Sequence, residues 1–159
     1  MGNRGVVVFK PLETIQPEDF VVEFFWQANW DDIQEILDTI PEEVKPNEFV
    51  EGFAYRTWEL FGGPRDWKNR NYNYKYNMTA ALTTFNSSYL SNLDNGVYVV
   101  DPGTRKIVDR TFIQNYNPTT NEIVHYRVEQ LAHMDSVWEN CTNQMRINRK
   151  KQVDQYEEE

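Results

Sequence analysis

The chain has 159 residues and a mass of 19.0 kDa, with 40% apolar and 26% charged side chains and a net charge of −9. That is enough for one folded domain and the wrong composition for a fibre or a disordered tail. No apolar run approaches the roughly 20 residues of a membrane-spanning helix, and a single cysteine excludes an internal disulfide and a cysteine-built zinc site.

The charge is unevenly distributed. Residues 1–60 hold 13 acidic and 4 basic side chains, whereas residues 61–159 hold 12 of each. The first third would repel a phosphate backbone, because nucleic-acid binding requires cations that displace condensed counterions. General nucleic-acid coating is therefore not expected, and only a local basic patch stays open. The first residues, MGNRGVVVFKPLE, show no hydrophobic signal core or small-residue cleavage site. Val6 stands where a myristoylation signal favours Ser or Thr. The acceptor triplets at Asn77, Asn86 and Asn140 are what chance gives among 16 asparagines. The chain reads as one made in the cytoplasm.

Residues 5–9 form a short β-branched run. In residues 20–27, Phe20, Val22, Phe24 and Trp26 alternate onto one face, with Glu23 and Gln27 on the other, which predicts a strand. Val21 and Phe25 are apolar too, so either both faces are covered or a helix wins. Asp31 and Asp32 open a helix whose Ile33, Ile36, Leu37 and Ile40 recur at helical spacing, and Pro41 stops it. A second helix is expected from about Asn47, read as its cap, through Phe49, Phe53 and Trp58 to Phe61, where Gly62-Gly63-Pro64 ends it.

From 71 to 83, Tyr72, Tyr74, Tyr76, Met78, Ala80 and Leu82 alternate against polar partners, which favours a long strand; a helix using Met78, Leu82, Phe85 and Tyr89 competes with its end. A hairpin follows, in which Val97 to Val100 leads into Asp101-Pro102-Gly103-Thr104. There proline pre-sets the first turn angle and Gly103 is expected to supply a positive φ. The chain returns through Ile107, Val108 and Phe112. A looser turn with Pro118 leads to Ile123 to Val128 and completes a three-stranded meander. From about Glu129 the period changes: Leu131, Met134, Trp138, Cys141 and Met145 trace the seam of an amphipathic helix reaching about residue 150. Arg146, Arg149, Lys150 and Lys151 complement the negative end of its dipole.

The expected fold is α+β: a mainly antiparallel sheet of about five or six strands, including the meander. Two helices in the N-terminal half and one C-terminal amphipathic helix pack on it. Residues 1–151 are read as one domain and 152–159 as an acidic tail.

Catalytic signatures are wanting. His125 and His133 are eight apart and match no ligand set, and Cys141 on an apolar helical seam reads as a small buried hydrophobe. No nucleophile elbow, phosphate-cradling glycine loop or dinucleotide fingerprint occurs, and serine occurs only four times. Asp31-Asp32 and Glu42-Glu43 read as acids at helix starts. Glu23, a lone acid in an apolar strand, reads as solvent-exposed rather than catalytic. No catalytic residue, cofactor or metal is therefore assigned.

The most distinctive segment is 65–76, where Arg65, Lys68, Arg70 and Lys75 interleave with Trp67, Tyr72, Tyr74 and Tyr76 around one acid. Such a mixture serves protein interfaces, where Tyr, Trp and Arg dominate hot spots, or single-strand binding, where rings stack on bases. It serves equally as a strand whose tyrosines cover the core. The candidate interface is Arg65, Trp67, Lys68, Arg70, Tyr72, Tyr74 and Tyr76, with Arg146, Arg149, Lys150 and Lys151. The chain is thus expected to be a non-enzymatic structural or assembly protein working through protein–protein contacts with itself or other subunits. Its acidic first third and basic C-terminal turn suit head-to-tail docking. Low Ser and Cys with high Asn and Tyr suit a small bacteriophage virion component such as a connector, ring or decoration protein. The alternative is a small enzyme or ligand-binding domain with an aromatic pocket of Tyr72, Tyr74, Tyr76, Trp26 and His125. A weaker alternative is single-stranded nucleic-acid binding through residues 65–76.

Overall fold

The computed structural model describes residues 4–62 and 74–127. Six strands form one sheet in the order β3-β2-β1-β4-β5-β6: β1 (Gly5–Val8), β2 (Phe20–Phe24), β3 (Ala80–Thr84), β4 (Val97–Asp101), β5 (Lys106–Asn117) and β6 (Glu122–Arg127). All neighbours are antiparallel except β1 and β4, which run parallel at the centre. A parallel pair needs a crossover, and here everything between residues 9 and 96 makes it.

Both faces of the central strands are covered, which is why β1 reads Gly-Val-Val-Val without alternation and is buried throughout. On one face Val7, Val22, Phe24, Tyr98 and Val100 meet α1 (Trp30–Thr39) and α2 (Phe49–Thr57). Helix α1 follows its sequence: Asp31 and Asp32 occupy the first turn, Ile33, Ile36 and Leu37 are buried, and the helix stops at Ile40 before Pro41. Phe9, Phe24, Phe49 and Phe53 pack edge-on or tilted with ring centroids 5.4–6.5 Å apart. Burying each ring contributes about 2 kcal/mol, so these aromatics join the two helices to the sheet. On the other face Val6, Val8, Val21, Val97, Val99 and Ile113 meet Leu12, Ile15, Phe85 and Tyr116. Phe85 begins a short helix, α3 (Phe85–Ser88), which continues as a 3₁₀ stretch, Tyr89–Leu93.

Several expectations are corrected. Among the described residues of 71–83, only Ala80 onward lies in a strand. The side-chain carbonyl of Asn77 accepts the N–H groups of Thr79 (2.9 Å) and Ala80 (3.1 Å) and turns the chain, so Tyr76 folds back to bridge Ala81. The competing helix starts at Phe85 rather than Met78. Asn47 lies inside a 3₁₀ turn, Pro46–Glu48, and is not a cap; α2 passes at Trp58–Gly62 into a π-helical turn. Glu42 and Glu43 occupy a turn between helices rather than a helix start. In the hairpin Gly103 keeps an ordinary φ, and Arg105 takes the positive one at 57°. Asp101 reorganises this turn: its carboxylate accepts from Gly103 N–H and Thr104 Oγ1, and its carbonyl accepts from Arg105 N–H at 2.7 Å. The expected helix after Glu129, with His133 and Cys141, lies outside the described residues.

Candidate interaction surface

Of the expected interface, Arg65, Trp67, Lys68, Arg70, Tyr72, Arg146, Arg149, Lys150 and Lys151 lie outside the described residues. Tyr74 and Tyr76 are described, and the Asn77 turn brings them to the end of the sheet where β2 finishes. The N–H groups of Phe25 (2.8 Å) and Trp26 (3.3 Å) both donate to the Thr79 carbonyl, and the Thr79 hydroxyl donates to the Phe61 carbonyl at 3.2 Å. The end of β2, the Asn77 turn and the end of the α2 helical run are thereby held together.

The side chains gathered there are large, apolar and wet. Trp26 is 54% exposed, Tyr76 57% and Met78 55%, and Tyr76 packs edge-on against Phe25 with centroids 6.1 Å apart. Phe20 and Trp26, expected on the core face of β2, are both exposed. Phe20 opens the strand and Trp26 lies beyond its end, so only Val22 and Phe24 are enclosed by the helices. Trp26, Tyr76 and Met78 are thus large apolar side chains exposed near one end of the sheet.

Tyr74 faces another way. Its ring lies 5.7 Å from that of Tyr55 on α2, and Tyr55 lies 5.5 Å from Trp58. Tyr55 and Tyr74 help to line a groove of about 500 Å³, together with Pro41, Val44, Glu48, Glu51, Gly52, Arg56 and Glu59. Glu48, Glu51, Tyr55 and Glu59 recur at helical spacing, so the outer stripe of the α2 run is acidic with an aromatic centre. Arg56 is engaged with Glu59 (3.6 Å) and Thr39 (2.9 Å). The turn that contributes Pro41 and Val44 to the lining is clamped by Arg105, whose guanidinium donates to the carbonyls of Ile40 (2.9 Å), Glu42 (3.2 Å) and Val44 (2.6 Å). Gly52 permits the close approach, since a Cβ there would stand 2.7 Å from a Val44 methyl. The stripe of Glu48, Glu51 and Tyr55 was readable as an exposed helix face; the Arg105 clamp, reaching back over sixty positions, carried no local signal.

Of the pocket alternative, Tyr72 lies outside the described residues, and His125 is not brought to Tyr76. His125 sits on β6 and Tyr76 beside β3, the two opposite edges of the sheet, about five strand spacings of ~4.8 Å apart. His125 is exposed. The Thr111 hydroxyl donates to the Tyr126 carbonyl (2.7 Å) and so accepts from His125 Nδ1 (2.7 Å). Glu23, expected in solvent, is half-buried under the 3₁₀ stretch and accepts a hydrogen bond from Ser91; burial pushes its carboxyl above the usual range, partly offset by that bond. A polar residue that the strand pattern did not single out is Arg110, fully buried on β5. It stacks 4.5 Å from the Tyr98 ring centroid, and its Nε donates to the Asn95 carbonyl at 3.0 Å. The Tyr98 hydroxyl donates to the Ala28 carbonyl at 2.7 Å. This cluster ties β4 and β5 to the loop before α1.

Among the described residues, no group of three or more His, Cys, Asp or Glu side chains is placed to hold a metal ion, and no helix is long and apolar enough to cross a membrane. Comparison with protein-family models, with curated proteins and with solved structures finds no match to this chain.

Proposed function

We propose that this chain is a non-enzymatic assembly protein that works through protein–protein contacts. The composition, rich in Asn and Tyr and poor in Ser and Cys, suits a small bacteriophage virion component of the connector, ring or decoration kind. The observation that carries the reading is the exposure of the large apolar side chains Trp26, Tyr76 and Met78, on backbone held by hydrogen bonds at the sheet end. Rigid backbone under exposed rings favours contact, because little ordering entropy is lost on docking. Two features favour a protein partner over nucleic acid. The cations of the described part are largely engaged in internal contacts, and the groove beside Tyr74 is lined by three glutamates that repel phosphate.

The test is the solution mass by light scattering across protein concentration. A defined dimeric or ring-sized species supports assembly, with Trp26→Ala and Tyr76→Ala expected to shift it toward 19 kDa. A 19 kDa monomer at every concentration removes self-assembly.

A further inference from the structure

The groove on α2 is a formed recess. Its lining is fixed at three places: the turn carrying Pro41 and Val44 by three guanidinium–carbonyl bonds from Arg105, the approach of Val44 to α2 by the absence of a Cβ on Gly52, and Tyr55 by its ring contact with Tyr74. The carboxylates of Glu48 and Glu51 on its rim carry no ion pair or side-chain hydrogen bond among the described residues, whereas Arg56 is already engaged with Glu59 and Thr39. Tyr55 is 46% exposed and presents its ring to the same space. Two free carboxylates beside an aromatic ring suit an extended cationic side chain, whose stem covers the ring while its head meets the acids. A volume of about 500 Å³ admits a few side chains of a segment rather than a folded element.

We propose that the groove receives the basic segment 146–151 of a second copy of this chain. Four of the chain's 16 Lys and Arg residues fall within those six positions, as Arg146, Arg149, Lys150 and Lys151. The acids opposite them belong to the region that carries the whole net charge of −9. The contact is heterologous: the groove of one copy takes the C-terminal segment of the next. Repetition therefore closes a ring or extends a chain. The inference rests on the assembly reading and adds to it which surfaces meet.

The experiment uses the full chain, with light scattering at low and high salt and circular dichroism to verify folding. One variant carries Glu48→Lys and Glu51→Lys. The other carries Arg146→Glu, Arg149→Glu, Lys150→Glu and Lys151→Glu. Each alone is expected to weaken self-association by at least about tenfold, because like charges then face each other at the contact. An equimolar mixture of the two is expected to restore it, because each reversed surface then meets a reversed partner. Should either variant assemble like the wild type, or should the mixture fail to restore association, the pairing is overturned while the assembly reading stands. A wild-type chain that stays monomeric at all concentrations, as it would if the basic segment served its own groove, overturns the pairing and removes self-assembly, leaving only contacts with other subunits.

Discussion

The guanidinium of Arg105, in the β4–β5 turn, donates to the carbonyl oxygen of Val44, in the turn between α1 and α2, across 2.6 Å. With the bonds to Ile40 and Glu42, it holds an exposed inter-helix turn in place, and the same guanidinium lies 5.7 Å from the Phe49 ring centroid. Replacing it with methionine keeps most of the aliphatic packing and removes every donor. Hydrogen bonds from a charged group contribute about 1.5–3 kcal/mol each when sheltered and less in water's reach. For three partly exposed bonds, Arg105→Met is expected to cost about 2 kcal/mol in total. Urea unfolding measures it, and an unchanged midpoint would show that the turn holds itself.

The two turn glycines near β4 separate sharply. Gly96 has φ +82°, and a Cβ there would stand 2.6 Å from the Thr111 carbonyl oxygen, so Gly96→Ala both strains the backbone and collides with the neighbouring strand. A loss of about 2 kcal/mol or more is expected. Gly103 has no positive φ, and a Cβ there would meet only the Asp101 carboxylate, its oxygens at 3.4 and 4.0 Å. Gly103→Ala is expected to stay within about 0.5 kcal/mol of the wild type. Thermal melts of the two variants distinguish the observed turn from one that relies on Pro102-Gly103 chemistry, in which the order would reverse.

The reason this turn was misread also explains what else was legible. Periodicity reports burial, so α1 is visible in Ile33, Ile36 and Leu37, and the doubly covered strands in Val6 to Val8 and Val21 to Val22. It does not report side-chain capture of backbone groups. Asp101 takes the N–H of Gly103, and Asn77 takes those of Thr79 and Ala80, redirecting chains whose alternation or Pro-Gly pair pointed elsewhere. The acidic stripe on α2 could be read, but the groove could not, because part of its lining depends on Arg105 and on an approach that only Gly52 allows. Glu23 looked solvent-exposed because nothing in its strand foretells that Ser91, 68 residues later, lies over it.

The Arg110–Tyr98 stack makes a prediction about the sheet itself. Arg110 is enclosed, and burial lowers its pKa from the usual value while Tyr98 opposes that shift; burial raises the Tyr98 phenol far above its ordinary range. Tyr98→Phe removes only the hydroxyl that donates to the Ala28 carbonyl and keeps the ring under the guanidinium. A loss of about 1–2 kcal/mol is expected, because a buried acceptor is left without its donor. Arg110→Met removes the charge and its bonds to Asn95 together. If hydrogen exchange of the Ala28 loop rises in Tyr98→Phe while the strands stay protected, the hydroxyl acts locally, as the geometry requires; uniform loss of protection would contradict that.

Glu23 links this fold to pH. Its carboxyl is raised by burial, the hydrogen bond from Ser91 opposing, so the folded state holds a proton at pH values where the unfolded chain, near 4.5, has released it. Stability therefore falls as pH rises from 4.5 through the folded value, and the cost of the buried anion is fully present at neutral pH. Asp32 is raised for the same cause and contributes in the same direction, so the wild-type curve alone does not isolate Glu23. The difference between wild type and Glu23→Gln does. The variant keeps a group that can hydrogen-bond Ser91 and carries no charge, so it is expected to melt higher than wild type at pH 7. The gap should narrow as pH falls toward 4.5. Ser91→Ala is expected to melt lower than wild type at pH 7 and to steepen the pH dependence, because it withdraws a hydrogen bond that favours the anion. Parallel melting curves for wild type and Glu23→Gln across that range would show that the Glu23 carboxylate is as well solvated in the fold as in the unfolded chain.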